Sequence, residues 1–240
     1  MEKKYKLTEE TLEIDGHVLH RIIALRDFRE VKKGDIGGWI ESQENLLHDG
    51  DCWVYGEAMV CGNAMVYGNA EVYGEAKVYG IAEVYGNAEV CGNAEVYGEA
   101  MVCGNAEVCG NAKVCGNAMV CDNAEVYGEA TVCDNAEVYG EATVCGEAMV
   151  YGNAEVYENA VIGGDAEVYG NAKICGDAKI CGDAMVYGNA EVYGSAEVFG
   201  KAKVSDNAEV FGNAEVYNDA IVCGDMVVCG DAVVCGQVKK

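Results

Sequence analysis

Proline is absent from this 240-residue chain, phenylalanine occurs three times and tryptophan twice, and basic residues number only 16 against 41 acidic ones. No run of about 18 apolar residues occurs, which excludes a membrane-spanning helix. The opening MEKKYKLTEE lacks the apolar core of a secretory leader, so a cytoplasmic location is expected. The 14 cysteines are then expected as reduced thiols. A formal charge of −25 repels phosphates and anionic lipid surfaces, which argues against direct binding to nucleic acid or membrane. Hydrophobic residues nevertheless make up 51 % of the chain, so it is not a disordered tail.

What fills the chain is a six-residue unit, V-Y/C-G-N/E/D-A-x, which runs without insertion or deletion from Val54 to Val234 and gives 31 copies of its first position. That position is Val except at Ile162, Ile174 and Ile180. The fifth position is Ala from Ala58 onward, except at Met226 and Val238. Six residues advance a helix by about 600°, so the valine stripe would wander around it. In A-x-V-x, by contrast, side chains alternate in and out as along a short strand, and the following Gly-Asn, Gly-Glu or Gly-Asp supplies a corner. The pattern predicts an all-β, single-stranded parallel β-helix. Three units would close a triangular coil of 18 residues, and about ten coils at about 4.8 Å each make a rod of roughly 50 Å.

The hand of the coil does not follow from the period. The general preference for right-handed crossovers favours a right-handed coil. Units such as VYGNAE and VCGEAT, however, resemble the hexapeptide repeat of left-handed β-helix proteins. The stretch RIIALRDFREVKKGDIGGWIE, followed by GDCWVYGEA, further resembles the YdcK-type family of bacterial hexapeptide-repeat proteins. That resemblance implies a left-handed coil and a nominal grouping with acetyltransferases.

Residues 1–51 break the period and are expected to form a small N-terminal β cap, with residues 52–240 as the repeat. A separate binding domain is the alternative for the first segment. LEIDGHVLHRIIAL reads as two strands around an Asp15-Gly16 turn, Gly37-Gly38 reads as a further turn, and Trp39 and Trp53 fall near the seam. A cap is needed because a β-helix end exposes unpaired backbone and apolar core.

Residues 18 apart should stack on one face. Glu71, Glu89, Glu107 and Glu125 then form an acidic interaction column, which is either a solvated face or a site for cations or a basic partner. Asn117, Asn135, Asn153, Asn171, Asn189 and Asn207 predict an amide ladder. Tyr151, Tyr169 and Tyr187 predict a ring ladder, with the pairs Tyr55/Tyr73, Tyr67/Tyr85, Tyr79/Tyr97 and Tyr139/Tyr157 expected to behave alike. Consecutive cysteines at 103, 109, 115 and 121 fall on different walls and cannot converge on one zinc ion, so no metal site or cofactor is expected. Only cysteines 18 apart, such as Cys91/Cys109, should meet, with sulfurs poorly aimed for a disulfide.

In the last coil the outward positions become Ile221, Val227 and Val233. Residues from about 218 to 238 are therefore expected to pair with another chain, most simply in a two-fold dimer.

No catalytic residues are assigned. The repeat holds no histidine, and His17, His20 and His48 all precede it, which leaves His20 with Arg21 as the only candidates for chemistry. The expected function is a non-catalytic, rigid, acidic scaffold or protein-interaction module that self-associates or docks an unidentified protein. An acyltransferase-like protein and an acidic nucleic-acid mimic are the alternatives.

Overall fold

A computed structural model describes residues 3–237, and all regular structure among them is β. The chain divides into two compact units, Met1–Asn117 and Ala118–Lys240. Each is a parallel β-solenoid whose two-residue strands stack at a spacing of 18. In the first unit, Trp53–Val54, Glu71–Val72, Glu89–Val90 and Glu107–Val108 form one wall. Met59–Val60, Lys77–Val78, Glu95–Val96 and Lys113–Val114 form a second, and Met65–Val66, Glu83–Val84 and Met101–Val102 a third. The second unit repeats this arrangement, for example with Glu137–Val138, Glu155–Val156 and Lys173–Ile174 in successive coils.

The reason for this winding lies in the two inward positions. Every first-position residue from Val54 to Val222 and every fifth-position alanine from Ala58 to Ala220 is fully buried. One β-branched and one methyl side chain per unit fill each wall, and nothing larger than the isoleucines at 162, 174 and 180 occupies these slots. The backbone closes the structure: Glu71 N–H donates to Ala88 O at 2.9 Å and Tyr73 N–H to Val90 O at 2.9 Å, and the same step recurs along both units. Each strand thereby satisfies its polar groups on the next coil rather than within its own.

The corners need positive φ. Glycine supplies it at most of them, but Asp122, Asp134, Glu158 and Asp206 adopt φ of 62, 62, 60 and 60°. Each carboxylate accepts the N–H of the glycine 18 residues on: Gly140 at 3.3 Å, Gly152 at 3.2 Å, Gly176 at 2.7 Å and Gly224 at 3.0 Å. That bond offsets the strain of a left-handed residue carrying a Cβ.

The N-terminal strands β1 (Tyr5–Ile14) and β2 (His17–Ala24) form an antiparallel hairpin around Asp15 and Gly16, whose φ values are 50 and 84°. Strand β3 (Ile36–Ile40) pairs antiparallel with β2 and parallel with Met59–Val60. Coil geometry thus begins before the sequence period does, because Ile40 lies opposite Val60 and Leu46 opposite Val66. The described residues make about 11 turns of about 18 residues, one more than the repeat alone suggests. Gly37 and Gly38 are not a turn but buried strand residues; a Cβ at Gly37 would lie 2.6 Å from both Ile22 and Trp53 side chains. Phe28 and Tyr5 pack edge-on against the buried Trp53, at 5.3 and 6.1 Å between ring centroids.

Gly86 offers a test of the corner account. Its φ is 75°, and a Cβ there would approach Gly104 O to 2.8 Å. Gly86→Val should lose about 2–3 kcal/mol in denaturant unfolding, whereas Gly86→Asp should lose only about 1 kcal/mol because its carboxylate can accept the Gly104 N–H. Equal losses would contradict the account.

Candidate functional site

The outward faces of the first unit carry its chemistry. Glu71, Glu89 and Glu107 are adjacent in register on one wall, as their spacing requires. Glu125 belongs to the second unit, where it lies opposite Thr143. Like charges so placed repel unless something intervenes, and each member meets a different neighbour. Glu71 receives Arg29 from the N-terminal segment at 2.7 Å, and Arg29 also donates to Asn69 O at 3.0 Å. Glu89 accepts the Tyr73 hydroxyl at 2.8 Å. Glu107 lies beside Cys91 and Cys109, with the donor atoms of all three residues within 4.8 Å of one another. Burial, then Cys91 and Glu107, pushes the Cys109 thiol up to about 12. Cys91 itself is 8 % exposed. No disulfide forms among the described cysteines.

The Tyr73–Glu89 contact is one instance of a rule. A tyrosine hydroxyl donates to the glutamate 16 residues on in Tyr67–Glu83 (2.7 Å), Tyr151–Glu167 (3.1 Å) and Tyr193–Glu209 (3.2 Å). The rings meanwhile stack: Tyr67/Tyr85, Tyr79/Tyr97, Tyr139/Tyr157, Tyr151/Tyr169 and Tyr169/Tyr187 have centroids 4.8–5.1 Å apart and planes within 7°. Tyr55 and Tyr73 do not join these stacked pairs. At the corners, amide ladders run Asn69–Asn87–Asn105 in the first unit and Asn135–Asn153–Asn171–Asn189–Asn207 in the second, with steps of 2.9–3.1 Å. Asn117 is the last residue of the first unit.

A cleft of about 360 Å³ opens between the N-terminal hairpin and the solenoid wall, lined by Ile14, His17, Leu19, Cys61, Lys77 and Tyr79 among others. His17 Nδ1 lies 2.9 Å from Glu41 Oε2, which also accepts the Gly62 N–H at 2.7 Å. These two contacts, His17 first, hold the Glu41 carboxyl below its usual range. The histidine singled out from sequence, His20, lies instead with its Nδ1 3.2 Å from Thr8 O. Its neighbour Arg21 pairs with Glu57 at 2.6 Å and covers the Trp39 ring at 4.1 Å. The structure therefore does not bring His20 and Arg21 into the cleft lining.

At the far end of the repeat, Val227 and Val233 are 57 and 58 % exposed, and Ile221 is half-buried. Val228 and Val234, in the inward slots, are no longer fully covered. Residue 238, the limit of the stretch expected to self-associate, lies outside the described residues.

Comparison with known proteins agrees with this architecture. Residues 58–74 and 178–194 match the model of the YdcK β-solenoid repeat. Over an alignment 61 positions long that covers 22 % of this chain, the sequence is 39 % identical to the protein named uncharacterised acetyltransferase YdcK of Escherichia coli (strain K12). That match spans 19 % of the relative's own length. The chain is therefore a β-solenoid repeat protein similar to YdcK, and the resemblance noted from its units is shown at the level of the repeat.

The tyrosine–glutamate contacts carry a pH dependence. Burial first, and the neighbouring carboxylate with it, raises Tyr139 and Tyr151 to about 12. A raised folded-state value means stability is intact below about pH 10, the free-tyrosine value, and is lost as pH rises toward 12. Alkaline unfolding should begin above about pH 10, and Tyr139→Phe with Tyr151→Phe should weaken that dependence. An unchanged alkaline slope in the double variant would contradict the assignment.

Proposed function

We propose that the protein is a non-catalytic, rigid, acidic scaffold that self-associates through the coil formed by residues from about 218 onward. The observation that carries this is the change in exposure along one series of positions. First-position residues are fully buried from Val54 to Val222, yet Val228 and Val234 are not, and the outward Val227 and Val233 beside them are exposed. Among the described residues, strands Val227–Val228 and Val233–Gln237 pair only with an earlier coil, at Glu209–Gly212 and Glu215–Val222 respectively. A strand row with one open edge and apolar flanks is a template for another strand row.

The occupant proposed is a second copy of the chain. Another solenoid coil has the same cross-section and the same narrow valine and alanine interior. An isologous two-fold contact closes on itself and hides both open edges at once. On the walls of this coil the outward positions Ile221, Val227 and Val233 are apolar, and its charges, Asp219, Asp225 and Asp231, sit at the corners. We take the coil as left-handed, on the hexapeptide resemblance, and the location as cytoplasmic, in keeping with 14 cysteines and no disulfide among them. The acetyltransferase name belongs to the relative. In this chain no histidine lies between Val54 and Val234, which leaves the repeat units without the usual general base for acyl transfer.

Sedimentation of the full chain across a concentration series tests this reading. A dimer is expected at tens of micromolar, and Val227→Lys with Val233→Lys should raise its dissociation constant at least about 100-fold, since two charges would be desolvated at the contact. A monomer at every concentration, or a dimer indifferent to both substitutions, would overturn it.

A further inference from the structure

Cys91, Glu107 and Cys109 form the one three-residue cluster of metal-ligating side chains among the described residues, and nothing in the scaffold reading uses it. The fold builds this cluster by two separate spacings. An interval of 18 places Cys91 and Cys109 in neighbouring coils on one wall, and an interval of two places Glu107 and Cys109 on the same outward side of one strand. Within either unit, Cys91/Cys109 is the only pair of cysteines 18 residues apart; the other such spacings, 103/121 and 115/133, have one member in each unit.

We propose that these three residues bind one divalent zinc-type cation, Cys91 Sγ, Cys109 Sγ and a Glu107 carboxylate oxygen being the protein ligands and a water completing the shell. Three lines of observation converge on this. The first is distance: the three donor atoms already lie within 4.8 Å of one another. Bonds of about 2.3 Å to sulfur and about 2.1 Å to oxygen would place tetrahedral donors roughly 3.5–3.8 Å apart, so rotation of outward side chains by about an ångström closes the site.

The second is charge. On this wall Glu71 is answered by Arg29 and Glu89 by the Tyr73 hydroxyl, whereas no cationic side chain pairs with Glu107 among the described residues. A cation held between Glu107 and the two sulfurs supplies the missing positive charge in a column of carboxylates.

The third is access. Cys91 is 8 % exposed, while Glu107 and Cys109 are half-buried, so the sulfur side is sheltered and a fourth position faces solvent. Two thiolates exclude the hard cations calcium and magnesium, and a carboxylate third ligand suits zinc better than it suits monovalent copper.

Equilibrium dialysis of the full chain in a phosphine reductant, with Zn2+ as the probe, tests the proposal. One tightly held Zn2+ per chain is expected, and Cd2+ in its place should give a thiolate-to-metal ultraviolet absorption. Cys91→Ser and Cys109→Ser should each weaken binding by more than the roughly 10–100-fold that loss of an outer-shell partner costs. Glu107→Gln should weaken it by at least about 10-fold, and Cys175→Ser should leave it unchanged. The same slot of the repeat holds tyrosine or cysteine in most units and serine at Ser205, so the serine variants should keep the wild-type circular dichroism. If they do not, the Glu107→Gln variant and the cadmium absorption of the wild-type chain decide the matter alone. Failure of the wild-type chain to retain Zn2+, retention undiminished in Cys91→Ser and Cys109→Ser, or a Cys91–Cys109 disulfide that persists under the reductant would each overturn the site. None of these results depends on whether the chain self-associates.

Discussion

A core one valine and one alanine wide governs this protein. Because each wall buries only those two side chains per six residues, the chain must turn at every glycine-type corner and can satisfy its backbone only on the coil above or below. The Glu71 to Ala88 and Tyr73 to Val90 hydrogen bonds express that necessity. Enlarging the core at one point would displace the backbone of two coils, since the corners are in mutual contact: a Cβ at Gly74 would already lie 2.8 Å from Gly92 O. Packing and hydrogen bonding thus enforce the same 18-residue interval, which is the kind of agreement between levels that gives a single native state.

Everything outside the core is set by that interval, including its difficulties. Stacking puts like side chains over like, which favours asparagine and tyrosine and penalises glutamate. The protein relieves the penalty locally rather than by screening alone. Tyrosine hydroxyls reach diagonally to the next coil's glutamate, Lys173 pairs with Glu155 at 3.0 Å and Lys179 with Glu197 at 3.5 Å, and Arg29 arrives from outside the repeat to meet Glu71. The surface is therefore acidic in sum while many of its carboxylates already have partners. A nucleic-acid mimic, by contrast, would need its charges free and on one face.

Much of this was legible in the residues. The period names the inward valines and alanines, the corners, the amide ladder of Asn135 to Asn207 and most of the stacked rings, because each depends only on a fixed interval. Three kinds of feature escape that logic. Ile40 and Leu46 follow the coil two residues out of phase with the period, so arithmetic extended backwards from Val54 lands on His48 and Ser42 instead. Gly37 and Gly38 read as a turn but are required by the close approach of Ile22, Trp53 and Val54, a three-dimensional constraint with no local signature. The diagonal contacts were missed as well. Tyrosine to glutamate at 16, and Glu107 with Cys109 and Cys91, join side chains in adjacent columns, whereas the period identifies only members of the same column. The recurrent E-V-Y and E-V-C strings were the available signal, since they place a carboxylate two residues from each ring or thiol.

The claim beneath all of this is that successive coils are hydrogen-bonded at one fixed step. Scalar couplings measured by NMR across hydrogen bonds test it directly, by linking each amide nitrogen to the carbonyl that accepts its proton. The Tyr73 amide should couple to the Val90 carbonyl and the Glu71 amide to that of Ala88, with the same separation, 90 − 73 = 17, recurring within each unit. Couplings to the carbonyl four residues earlier, or to carbonyls at no constant separation, would contradict the solenoid and with it every column described on its surface.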